Sequence, residues 1–147
     1  GGYQGLEAGV QNYSGASGLA AAIERLDKAG FENIRAHISG LVGAALDELA
    51  DIKGVKVLGD RADLLSGSLI TLAPVKKGFS VPDFNLFLSN QVKGRMIAVR
   101  TWRHCADLAC LNSGYSETIR ISFFTYNTPA DAALFAGALR RYLALLK

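Results

Sequence analysis

Most of the chemistry this sequence offers lies in six consecutive residues, Arg100-Thr101-Trp102-Arg103-His104-Cys105. A cysteine is a nucleophile only as the thiolate, a form that neighbouring cations favour. Arg100 and Arg103 supply such a field, and His104 can exchange a proton near neutral pH. The stretch that follows, Ala106 to Glu117, reads as a loop through Asn112, Ser113 and Gly114, which puts Cys105 on a mobile segment. Nucleophilic catalysis is one reading of the cluster; an inert cysteine is the other.

Arg120 is the second candidate. It interrupts an alternating segment, Thr118 to Phe124, in which Ile119, Ile121 and Phe123 share one face while Arg120 and Ser122 share the other. A charge there requires solvent, a counter-ion or a ligand. Guanidinium holds a carboxylate through two parallel hydrogen bonds, so a bound carboxylate and a structural ion pair with one of the 13 acids are both open. No metal site is expected: Cys105-x4-Cys110 has the wrong spacing for a zinc knuckle, and only His37 and His104 add nitrogen. His37 flanks an apolar stripe and reads as a surface or edge residue. A disulfide between Cys105 and Cys110 would be incidental. Neither a glycine-rich phosphate loop after a strand nor a Gly-x-Ser-x-Gly elbow is present.

These residues must be positioned by a small scaffold. At 147 residues the chain is long enough for one domain, and half its residues are apolar, which excludes a disordered polymer. The longest apolar candidate for a membrane span, Leu64 to Val75, is too short and holds Ser66, Gly67, Ser68 and Thr71. No secretory signal opens the chain, and two cysteines are too few for a disulfide scaffold, so a reducing, cytoplasmic setting is expected. A net charge of +3 with scattered basic residues permits nucleic-acid contact but does not argue for it. The generous apolar content points to a buried interface with something absent.

Hydrophobic periodicity predicts the elements. Ser14 to Ala22 is almost all Ser, Gly and Ala and runs into Ile23, Leu26 and Ala29 at helical spacing, with Gly30 as the stop. Small residues there allow close helix packing or the approach of a ligand. Ile34, Ile38, Leu41, Val42, Ala45 and Leu49 mark a second helix over Glu32–Asp51. Val55–Leu58 and Leu69–Ala73 read as strands. Ser80 opens a third helix whose buried face is Phe84, Phe87 and Leu88, with Gly94 ending it. Met96–Val99 and Thr118–Phe124 read as further strands. Thr128, Pro129 and Asp131 start a last helix with Phe135, Leu139, Tyr142, Leu143 and Leu146 inward. The order α-α-β-β-α-β-β-α implies an α+β domain, a small, mostly antiparallel sheet with helices packed on it.

Three segments then resemble the C-terminal part of the class V aminotransferase family, in its pyridoxal-phosphate-dependent cysteine desulfurase and selenocysteine lyase branch. Leu6-Glu7-Ala8-Gly9-Val10-Gln11-Asn12 is similar to that branch's Phe-Glu-Ala-Gly-Thr-Pro-Asn. Val99 to Ala106 is similar to Val-Arg-Thr-Gly-His-His-Cys-Ala, and Thr118 to Asn127 to the strand that carries the family arginine. The resemblance covers residues 6–147 as a small C-terminal domain of the fold type I enzymes, with residues 1–5 a linker or remnant. It implies that Cys105 is the persulfide-forming nucleophile, with His104 beside it as a second catalytic position. Arg120 would clamp the substrate carboxylate, with Arg100 flanking it. Val10 and Asn12 would lie by the cofactor of a dimer partner.

Several residues depart from the pattern. Trp102 stands for a glycine, Arg103 for a histidine and Val10 for a threonine, and Asp107-Leu108 follows Cys-Ala where a proline is usual. None of the chain's lysines follows a histidine, so the Schiff-base lysine of the large domain is absent. The resemblance therefore implies pyridoxal phosphate in the complete enzyme, none bound by this chain alone, and no independent activity. Its partners would be an amino-acid substrate, the chain's own large domain, a second copy and a sulfur-acceptor protein, without nucleic acid or membrane. A lyase, epimerase or aminotransferase that leaves the cysteine unused, or a free-standing binding module, are the alternatives.

Overall fold

The computed structural model describes residues 2, 5, 9–90 and 96–146 and divides into two compact units, Gly1–Arg35 and Ala36–Lys147. The first holds α1 (Tyr13–Ala29) and the opening turn of α2 (Phe31–Leu49). Asn12 caps α1: its side-chain oxygen accepts the Gly15 N–H at 2.9 Å, a backbone donor that the first turn leaves unpaired, and also the Ser14 hydroxyl at 3.1 Å. The helix ends at Gly30 as the sequence predicts, with φ of 81° that a side chain would oppose. No residue of α1 is buried, and Leu19 and Ile23 are 63% and 52% exposed.

The second unit is built on a four-stranded antiparallel sheet in the order β1-β2-β4-β3. Its strands are β1 (Val55–Leu58), β2 (Leu69–Pro74), β3 (Arg100–Trp102) and β4 (Thr118–Ser122). With α4 (Val81–Asn90) and α6 (Pro129–Leu145), the sheet completes an α+β architecture that agrees with the expected class. Alternation works as predicted in β4, where Ile119 and Ile121 are buried. They join Ile70 and Leu72 of β2, Leu41, Val42 and Leu49 of α2, and Leu139 of α6 in one core. Phe84 lies inside an aromatic cluster, its ring 5.1 Å from that of Tyr142 and 6.1 Å from that of Phe135. Ser80 caps α4 through the Asp83 N–H at 3.2 Å, and Asp131 accepts the Thr128 N–H at 2.8 Å in the capping box of α6.

Three predicted boundaries give way. Met96–Val99 is not a strand; pairing on that edge covers only Arg100–Trp102, opposite Thr118–Arg120. Ile97 and Val99 still pack on the core, while the segment splays from the end of β4 and leaves a cleft of about 570 Å³ between them. This apolar run thus serves packing through Ile97 and Val99 without a hydrogen-bonded ladder. The expected loop after Ala106 contains a short helix, α5 (Asp107–Ser113), closed by Gly114 at φ of 75°. Another helix, α3 (Arg61–Leu65), lies between β1 and β2 and is also additional to the predicted order. Gly94, the expected stop of α4, and Leu6, Glu7 and Ala8 lie outside the described residues.

Candidate functional site

The register of β3 against β4 sets Arg100 directly opposite Arg120. Like charges facing across a strand pair repel, so the arrangement calls for an anion. Among the described residues neither guanidinium has a carboxylate within ion-pair distance; the cations that do are Arg35, Arg61, Arg103 and Arg140. The structural ion pair that the sequence left open for Arg120 is therefore not formed there. Arg100 instead directs Nη2 at the Cys105 sulfur, 3.5 Å away, and Cys105 is exposed. Arg103, expected to add to the cationic field, is neutralised by Asp107 at 3.1 Å.

His104 is fixed by a short relay. The buried Thr118 hydroxyl donates its one proton to the Trp102 carbonyl at 3.3 Å, so at 2.8 Å it accepts from Nε2–H of His104. The remaining nitrogen, Nδ1, is then a bare acceptor, buried without a partner among the described residues. Burial first, then the positive charges of Arg120 and Arg100, hold the imidazole below its usual pKa of 6.5. At neutral pH His104 is uncharged, with a lone pair to offer beside two cations and a thiol.

The connecting backbone is tight. Trp102, His104 and Cys105 have φ of 82°, 56° and 59°, a region that residues with a Cβ enter at a cost of about 1–2 kcal/mol. Trp102 occupies the position where the resemblance has glycine, so the structure shows why glycine suits it: the turn needs a positive φ. The half-exposed indole is carried there against that preference.

Val10 and Asn12, the expected cofactor contacts, belong to the first unit. Val10 is exposed and has no polar side-chain atom; Asn12 already caps α1 through its oxygen. His37 is an exposed residue, as read from the sequence, whose Nε2 lies 3.1 Å from the Asn127 carbonyl. Lys76 is engaged at the carbonyl end of α6, and Lys56 sits 6.0 Å from the Tyr115 ring. Sequence reasoning passed over Thr118, whose side chain fixes the His104 tautomer. Its place at the head of an alternating strand gave no chemical signal.

The chain is similar in sequence and fold to known proteins. The family model Aminotransferase class-V matches residues 2–135. A probable cysteine desulfurase of Mycolicibacterium paratuberculosis is 34% identical over 146 residues, covering 95% of this chain and 20% of that protein. The crystal structure of the Escherichia coli cysteine desulfurase CsdA superposes with a TM-score of 0.81 at 28% identity, over 96% of this chain and 33% of that one. An apo cysteine desulfurase from Thermococcus onnurineus gives 0.82 at 28% identity, over 95% and 33%. The chain thus spans between a fifth and a third of the length of these relatives.

Proposed function

The chain belongs to the class-V aminotransferase family, and from that premise we propose that it is the C-terminal small domain of a cysteine desulfurase that uses pyridoxal phosphate. The observation that carries this reading is the exposed Cys105 thiol, 3.5 Å from Arg100, which β3 sets opposite an Arg120 that has no ion-pair partner among the described residues. The relatives named cysteine desulfurase support it.

The donor set fits the substrate side of such a reaction. Two guanidiniums suit the substrate carboxylate and the sulfur anion, and the bare, buried His104 Nδ1 is a place for a proton. The cofactor would be anchored by a lysine of the large domain, with Asn12 contributing its amide N–H groups toward the phosphate and Val10 only apolar surface. When bound, pyridoxal phosphate supplies the electron sink that weakens the carbon–sulfur bond of the substrate.

The chain's own residues then have distinct tasks. Arg120 orients the substrate through its carboxylate. Cys105, as thiolate, attacks the sulfur of bound cysteine; the new S–S bond forms as the C–S bond breaks, giving a Cys105 persulfide and, after protonation of carbon, alanine. Arg100 keeps the thiolate sulfur in place, and neutral His104 receives or returns a proton at Nδ1. The complete enzyme would be a cytoplasmic homodimer that passes sulfur to an acceptor protein.

The test uses the full-length protein loaded with pyridoxal phosphate. It should convert L-cysteine to alanine, and Arg120→Ala should lower kcat/KM at least about 100-fold, near 3 kcal/mol of lost transition-state binding. No alanine from cysteine, or an Arg120→Ala protein with undiminished kcat/KM, overturns the reading. Turnover of another amino acid without Cys105 would assign the chain to a different reaction on the same fold.

A further inference from the structure

We propose that Thr118 is a positioning residue for the sulfur-transfer reaction, holding His104 with its proton on Nε2 so that Nδ1 is the atom that exchanges protons; this rests on the desulfurase reading above. Thr118 opens β4, and the ladder pairs it with Trp102 of β3. Among the described residues it is the one buried polar side chain, at 3% exposure. Packing alone would be met by valine, which has the same shape and no hydroxyl to bury. The hydroxyl instead has two partners just ahead of Cys105 in the chain, the Trp102 carbonyl at 3.3 Å and His104 Nε2 at 2.8 Å. A carbonyl only accepts, so the hydroxyl proton goes to Trp102 and the hydroxyl oxygen accepts Nε2–H.

Charge favours the same tautomer. Arg120 of β4 and Arg100 of β3 are the charges that act on the ring, while Arg103, next to it in the chain, is paired with Asp107. Guanidinium has no acceptor, so an Nδ1–H would be a buried donor without a partner among the described residues. A bare lone pair there is stabilised by nearby positive charge. In the reaction a thiol S–H bond breaks, its electron pair stays on sulfur, and the proton joins Nδ1. The imidazolium then gives that proton to the carbon left holding the C–S pair. Nε2–H stays on the Thr118 hydroxyl throughout, so the ring keeps its orientation as the proton comes and goes.

The full-length protein loaded with pyridoxal phosphate tests this through the pH profile of kcat/KM for L-cysteine and through the nitrogen NMR shifts of His104, which report its tautomer. Wild type should show Nε2–H. In Thr118→Val the acceptor is lost, the proton moves to Nδ1, and kcat/KM on the neutral plateau should fall at least about 10-fold. The acidic limb should also move to lower pH, because the His104 cation loses the same hydroxyl. Thr118→Ser, which keeps the hydroxyl, should restore the tautomer and the limb and bring kcat/KM to within about twofold of wild type. An Nδ1–H tautomer in the wild type overturns the proposal, as does a Thr118→Val profile that matches wild type or a Thr118→Ser profile that matches Thr118→Val. The wild-type spectrum and the serine variant decide the matter where the valine variant does not fold. With alanine formed by the wild type, each of these results leaves the desulfurase reading standing. A wild type that forms no alanine overturns that reading and, with it, the part given to Thr118.

Discussion

At the residue scale the site is a balance of charge against burial. His104 has a folded pKa below 6.5 because burial and the two arginines disfavour its cation. Its contribution to stability is full above about 6.5, where the imidazole is neutral in both states, and is lost as pH falls through the lowered folded value. Proton titration followed by NMR should give a His104 midpoint below 6.5 and an Nε2–H tautomer; a midpoint above 6.5 contradicts the arrangement. Trp102 offers a second check. Glycine relieves its φ of 82° while giving up a half-exposed indole, so Trp102→Gly should change unfolding free energy by no more than about 0.5 kcal/mol. A loss above about 2 kcal/mol in denaturant unfolding would mean that the indole's contacts hold the loop. Cys105, Arg120 and Arg100 were legible as residue types from sequence. The pairing of the arginines across the sheet was not, since it depends on a register that only the folded ladder sets. Arg103 misled for a related reason: its acid partner, Asp107, comes from a helix read as loop.

Among the elements, those with both a periodic core face and a cap were readable. Gly30, Ser80 and Thr128 each mark an end that the structure keeps. The short helices were not, because α5 buries none of its residues and leaves Leu108 and Leu111 exposed, so no apolar period announces it. One element boundary rests on a long-range contact that pattern reading does not reach. Lys76 donates to the carbonyls of Leu143 and Leu146 at 2.8 and 2.9 Å, satisfying acceptors that the end of α6 leaves unpaired. Lys76→Met should cost about 1 kcal/mol of unfolding free energy. Unchanged thermal unfolding would show that water serves those carbonyls equally well. Nearby, a Cβ on Gly54 would collide with the Leu143 side chain, which explains a glycine at the mouth of β1.

At the scale of the whole molecule, the chain is a well-packed second unit preceded by a helix that buries nothing of its own. A helix of 17 residues with none of them buried is marginal in water. Amides of α1 should therefore exchange with solvent at least about 100-fold faster than those of α6; equal protection would contradict this. The apolar surplus noted in the sequence includes Leu19 and Ile23 of that helix, together with Met96 and Tyr126 of the second unit. As the chain spans between a fifth and a third of the cysteine desulfurases compared above, the reaction proposed for it belongs to the complete protein. The most direct measurement is a rapid-quench count of alanine formed by that protein, loaded with pyridoxal phosphate and given L-cysteine without a thiol acceptor. Wild type should give a burst of at least one alanine per protomer and then stall, whereas Cys105→Ala should give none. A Cys105→Ala burst as large as wild type would show that the thiol is not the sulfur's destination.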